Sequence, residues 1–146
     1  MIIDEVDLAI IGELMENCRK SFRDIARSIK LSEVAVIKRV RKLESSGVIR
    51  KYALIVDPFK LGYTKISFTG INVKPERMLE VIAQLKEKDF IKYMAVTTGD
   101  HEIIAVVWAK DSDELFKHHE EIRGIHGVMD LYPAILMDVV KDKAYV

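Results

Sequence analysis

The sequence predicts an α+β protein in two parts, an all-helical N-terminal third followed by a region where strands and helices alternate. Three observations predict it. Apolar residues recur at helical spacing between Leu8 and Leu43, the pattern turns to strand–helix–strand from Lys65 onward, and that second pattern repeats 37 residues later. At 146 residues, 49% hydrophobic and 32% charged, the chain is long and apolar enough for one domain or two small ones with real cores. It is too apolar for a disordered tail. No window approaches the roughly eighteen uninterrupted apolar residues of a membrane span. The opening Met1-Ile2-Ile3-Asp4-Glu5 has no basic flank and no signal-type apolar stretch, so export is not expected. Cys18 is the single cysteine, which excludes an internal disulfide and a thiolate-rich zinc site and points to a reducing cytoplasm.

The first helix starts at Asp4, a carboxylate able to accept orphan backbone N–H groups ahead of Leu8, Ile10, Ile11 and Leu14. Ile11, Leu14 and Cys18 fall on one face, which places Cys18 in the core as an inert packing residue. Ser21, with Asp24 three residues on, caps a short second helix carrying Phe22, Ile25, Ala26 and Ile29. Leu31-Ser32 is a tight connection, and Ser32 caps a third helix that buries Val36, Val40 and Leu43 and stops near Gly47. Two short helices joined so tightly cross steeply, which is a helix-turn-helix.

Charge supports a nucleic-acid role for this third. Residues 1–62 hold 12 Lys+Arg against 9 Asp+Glu, residues 63–146 hold 11 against 14, and residues 19–51 hold 11 against 3, a local net of +8. The face of the third helix opposite its apolar stripe carries Glu33, Val34, Ala35, Ile37, Lys38, Arg39, Arg41 and Lys42, with Ser32 at its start. In a helix-turn-helix this is the face that enters the major groove of double-stranded DNA, where Lys and Arg neutralise phosphates or an Arg forks onto guanine. On this expectation Arg39 is a phosphate or base contact.

Residues 48–61 alternate Val48, Ile49, Tyr52, Leu54 and Val56 before Asp57-Pro58 and read as a connecting strand ended by a turn. The expected division is therefore 1–49, a linker strand 50–62, and 63–146. In the last part, strand Ile66–Val73 leads to Pro75 and a helix with Met78, Leu79, Ile82 and Leu85 inward; 37 residues on, strand Ile103–Lys110 leads to a helix with Leu115, Phe116, His119 and Ile122 inward. Ile91 maps onto Val128 by the same shift. Two βαβ units of this kind make a ferredoxin-like βαββαβ fold. Both helices then lie on one face of the sheet, yet Ile103-Ile104-Ala105-Val106-Val107-Trp108 is apolar on both sides, so the helix-free face is expected to pack on a second copy.

The ordered set Asp4-x-x-Asp7-x-x-Ile10-Ile11-x-x-Leu14, Asn17-x-Arg19, Ile25-Ala26, Leu31-Ser32, Val36-x-x-Arg39-Val40-x-x-Leu43, Gly47-Val48-Ile49, Tyr52, Asp57-Pro58 and Leu61-Gly62 closely resembles the leucine-responsive regulator/AsnC, or feast/famine, family. The resemblance covers nearly the whole chain. It implies a homodimer tied partly through residues 50–56, further assembly to a tetramer or octamer, and an amino-acid effector bound between dimers at a Gly-x-aromatic-Asp loop. The matching loop here is Thr98-Gly99-Asp100-His101-Glu102, with His101 at the usual aromatic and Glu102 at the usual Asp. Leu131 and Pro133 stand where relatives often carry Thr. Chemically, Gly99 lets backbone amides approach a carboxylate while Asp100 and Glu102 offer acceptors to an ammonium group.

His118, His119 and His126 form no metal-ligand spacing, and Arg123-Gly124 through Gly127 is a helix stop rather than a phosphate loop. No catalytic constellation is visible, so the chain is expected to be no enzyme and to need no cofactor. An amino-acid-binding module without a DNA role is the alternative, but it gives no reason for the +8 stretch. With only Asn17, Asn72 and Gln84 as side-chain amides among many charges, the composition resembles that of thermophile proteins.

Overall fold

The computed structural model describes residues 2–141 and divides the chain into two compact units, Met1–Ile55 and Val56–Val146. The first unit is α1 (Glu5–Glu16), α2 (Phe22–Ser28) and α3 (Glu33–Ser45). Each start follows from its capping residue. Asp4 accepts from the Asp7 N–H at 2.8 Å while Asp7 accepts from the Asp4 N–H at 3.2 Å, a reciprocal box. Ser21 and Ser32 accept from the N–H groups of Asp24 and Ala35, each at 3.1 Å. Ile10, Leu14, Ile25, Ala26, Val36, Val40 and Leu43 form one buried cluster among the three helices. The turn between α2 and α3 is closed by the Leu31 N–H donating to the Ala26 carbonyl at 2.9 Å. It puts Lys30 at φ 57°, the left-handed conformation a tight helix-to-helix turn requires.

Cys18 departs from its expected place. α1 stops at Glu16 with Asn17 as its C-cap, so the helical spacing that would bring Cys18 into the core no longer applies and the thiol is exposed. The connecting strand is a second correction. Residues 50–56 pair with no strand of this chain and are exposed throughout. Alternation shows that a segment can pair; it does not supply the partner.

The second unit is β1 (Lys65–Val73), a 3-10 turn (Pro75–Arg77), α4 (Met78–Lys86), β2 (Ile91–Val96), β3 (Ile103–Ala109), α5 (Ser112–Arg123) and β4 (Val128–Ile135). The sheet is antiparallel in the order β2-β3-β1-β4, which is the ferredoxin-like arrangement. Ile71, Val73, Ile103, Ala105 and Val107 meet Val81, Leu85, Leu115 and Ile122 in the core. The 37-residue correspondence holds for all strands and both helices. The inward stripe needs one correction, identical in both halves: Leu79 and Phe116 point to solvent at 82% and 64% exposure, and Val81 takes the inward place in α4. The other expected positions hold: Met78 and Ile82 pack on the core, and Leu85, Leu115, His119 and Ile122 are buried. Among the described residues no helix is long and apolar enough to cross a membrane.

Between sheet and α5 lies a buried polar chain. Ser67 and Thr69 share a hydrogen bond of 2.8 Å, and Thr69 Oγ1 sits 3.0 Å from Nε2 of His119, which is 8% exposed. These groups satisfy one another, as buried polar atoms must. Burial, and then the charges of Arg123 and His118, hold the His119 pKa below its ordinary 6.5, with Glu120 opposing. A base whose folded pKa is lowered takes up its proton more readily in the unfolded chain. Folding stability should therefore decline as pH falls through about 6.5, and go on declining toward the folded pKa. His119→Gln, which keeps a polar partner for Thr69 but does not titrate, should flatten the dependence of unfolding free energy on pH between about 7 and 5.5 in urea titrations.

Candidate nucleic-acid interface and effector loop

α3 is buried along Val36, Val40 and Leu43, and the opposite side presents Val34, Lys38, Arg41 and Lys42 to solvent in one stripe. Ala35 and Ile37 flank that stripe and are half-buried. Ser32 is spent as the cap, and Glu33 lies 3.6 Å from the Arg23 guanidinium. Val34, Lys38, Arg41 and Lys42 are exposed on the face where the sequence placed them.

Arg39 is not. Its Nη1 donates to both carboxylate oxygens of Asp4, at 2.9 and 2.7 Å, and to Asp7 Oδ1 at 2.7 Å. Arg39 sits at the margin of the buried stripe, so its side chain turns back across α1 instead of outward. Asp7 is 4% exposed, and Arg39 supplies its ion-pair partner. The Asp7 N–H bond and then Arg39 lower the Asp4 pKa, and the two carboxylates raise that of Arg39. Arg39, expected on the duplex-facing surface, thus has its charge engaged within the domain.

The same accounting sorts the whole basic stretch. Lys20, Arg23, Arg27 and Arg39 have carboxylate partners. Among the described residues, Arg19, Lys30, Lys38, Arg41, Lys42, Arg50 and Lys51 have none within ion-pair distance and are exposed. Sequence reasoning centred on α3 passed over Arg19, Lys30, Arg50 and Lys51. The signal available was the count of nearby acids, which is too small to neutralise them.

The 98–102 loop joins β2 to β3. Gly99 adopts φ +109°, and the loop is closed by the Thr97 N–H donating to the Glu102 carbonyl (2.9 Å) and the Thr97 hydroxyl donating to the His101 carbonyl (2.7 Å). His101 folds onto the helix-free face of the sheet. Its Nδ1 is 2.9 Å from Asn72 Oδ1 and its ring lies 4.8 Å from Tyr132 at 30°. The imidazole occupies the space above Gly70, where any Cβ would fall 2.3 Å from His101 Cδ2. Glu102 accepts from the Val73 N–H at 3.2 Å. The loop thus does not bring its acids together: Thr98, Gly99 and Asp100 are exposed, while His101 and Glu102 are tied to β1.

A three-helix unit with an outward cationic helix, followed by a one-sided αβ sandwich with a pinned loop, defines a helix-turn-helix DNA-binding regulator with a sensing or assembly domain. Residues 3–44 match the AsnC-type helix-turn-helix domain and residues 66–146 the Lrp/AsnC ligand binding domain. The HTH-type transcriptional regulator LrpA of Pyrococcus horikoshii is 39% identical over 96% of this chain and 100% of its own length. The solved structure of E. coli AsnC is 26% identical with a TM-score of 0.86, covering 99% of this chain and 100% of that one. A Neisseria meningitidis regulator solved with L-Met shares the fold at 20% identity and a TM-score of 0.89, over 97% of this chain and 94% of that one. The chain belongs to the Lrp/AsnC family of transcriptional regulators.

Because Arg39 is internally paired, Arg39→Ala should lower the melting temperature yet leave the slope of log affinity against log salt for duplex DNA unchanged. Lys38→Ala and Arg41→Ala should each reduce that slope by about 0.9. Filter-binding titrations from low to moderate salt, alongside thermal melts, separate the two cases.

Proposed function

We propose that this regulator binds double-stranded DNA as a homodimer, or as a tetramer or octamer built from dimers, through the outward stripe of α3. Lys38, Arg41 and Lys42 meet the duplex, and Val34, near the helix start, lies closest to base edges. The observation that carries this reading is the division of charge on α3. Its inward cation is engaged by Asp4 and Asp7, whereas among the described residues its outward cations have no carboxylate within ion-pair distance.

The second copy is argued from the sheet. α4 and α5 cover one face, and the other presents Phe68, Tyr93 and Tyr132 at 46%, 38% and 50% exposure beside Ile104, Val106 and Trp108. A continuous aromatic and aliphatic face of this kind is an interface in soluble proteins. Leu54 and Ile55, 80% and 69% exposed in the unpaired linker, offer a further edge. We assign 1–49 to duplex binding, 50–62 to the linker and 63–146 to assembly and sensing. A small effector such as an amino acid would act at Thr98, Gly99 and Asp100, which have free acceptors and backbone amides. His101 and Glu102 would transmit its binding to β1.

Selection of bound sequences from random duplexes, with and without an amino-acid pool, tests the function directly. The expected outcome is enrichment of a two-fold symmetric site whose recovery changes with the pool. Failure to enrich any duplex would leave an amino-acid-binding module without a DNA role. Phe68→Asp should weaken self-association by roughly tenfold or more, measured by sedimentation equilibrium. A monomeric wild-type protein at micromolar concentration would overturn the assembly reading.

A further inference from the structure

We propose that Arg50 and Lys51 form a second duplex contact, a sequence-independent clamp on backbone phosphates beside the C-terminal end of α3. The proposal rests on the duplex-binding reading above and extends it to residues that reading leaves in the linker.

These two cations are held in place. On one side, the Ile49 N–H donates to the Leu43 carbonyl at 3.1 Å and the Ile49 side chain packs on the three-helix core. On the other, the Tyr52 hydroxyl donates to Glu44 Oε1 at 2.9 Å. Leu43 and Glu44 both belong to the last turn of α3, so a two-residue arm is pinned at each end to the same turn. Burial and the neighbouring Glu44 carboxylate push the Tyr52 phenol up to about 12, so its hydroxyl remains a donor at any working pH. Arg50 and Lys51 are exposed, and among the described residues neither has a carboxylate within ion-pair distance. The nearest acids in sequence are engaged elsewhere, Glu44 by Tyr52 and Asp57 by the Phe59 N–H and Lys60.

Geometry says which part of a duplex this arm meets. α3 has 13 residues and is about 20 Å long, longer than the roughly 12 Å width of the major groove. A helix entering by its N-terminal end therefore leaves its last turn over the phosphate rim. That end carries the negative pole of the helix dipole, which repels a phosphate unless cations offset it. Lys42, Arg50 and Lys51 stand there. An arm of two flexible cations with no planar hydrogen-bonding partner suits phosphate oxygens, not base edges, so its contribution is the same for every sequence.

The test uses the full chain, a 40-base-pair mixed-sequence duplex and a duplex recovered from the randomised pool. The Arg50→Gln/Lys51→Gln double variant is expected to melt like wild type and to reduce the salt slope by about 1.8 on both duplexes. It should lose affinity by the same factor on each, leaving the ratio between them intact. The Arg50→Lys/Lys51→Arg exchange should restore the slope. A double variant with the wild-type slope, or one whose loss is confined to the selected duplex, overturns the clamp while α3 reading survives. A wild-type protein that binds neither duplex overturns both.

Discussion

A helix that reads DNA has to satisfy opposite demands along a single turn: one side must be oily enough to hold it to its domain, the other charged and unoccupied. Arg39 is where these demands meet. It lies beside the buried stripe of α3, and its guanidinium reaches the two carboxylates that open α1, one of them 4% exposed. Asp4 and Asp7 are already joined by their capping box. The three groups therefore fix where α1 begins and how α3 is rotated about its axis. That rotation sets which side chains face outward, so the exposure of Lys38, Arg41 and Lys42 depends on an ion pair that never leaves the domain.

The αβ unit follows from a different constraint. Two βαβ repeats put both helices on one side of the sheet, and the apolar content of β1 and β3 exceeds what that side can absorb. Its helix side is closed by aliphatic residues and by the Ser67–Thr69–His119 chain; the reverse side keeps its aromatic residues half-exposed. The proposed self-association would cover that face, and it would also supply the two-fold mate that a helix-turn-helix needs for a symmetric site.

Much of this was legible in the residues. Asp4, Ser21 and Ser32 announce three helix starts because capping chemistry is local, and the 37-residue spacing announces the sheet because duplicated units keep their registers. What was not legible depends on partners distant in sequence. Leu79 and Phe116 directly follow the first apolar residue of each helix and look inward by spacing, yet they lie past the edge of the buried stripe. Cys18 continues an apolar stripe past the point where Asn17 has ended the helix. Arg39 has the composition of a DNA contact, and only the fold brings Asp4 and Asp7 across to it. Periodicity alone shows neither where a helix stops nor which distant charges the fold brings together. The 98–102 loop is the extreme case, since Gly70, 31 residues upstream of His101, is what gives the imidazole its seat.

That seat bears on how an effector could act. His101 rests on the helix-free face, between Asn72 and Tyr132, and Glu102 is fastened to the backbone of Val73. A ligand taken up by the exposed tip of the loop would strain or reinforce those two ties first, and through them β1 and the aromatic side chains of the proposed interface. It need not touch the helical unit to be felt there. If copies associate through this face, a ligand that favours one setting of His101 favours one mode of association by the difference in its affinity for the two, and no more than that difference. On the proposed function, regulation through assembly would follow from where the loop is anchored, and the effector would act on the spacing between recognition helices.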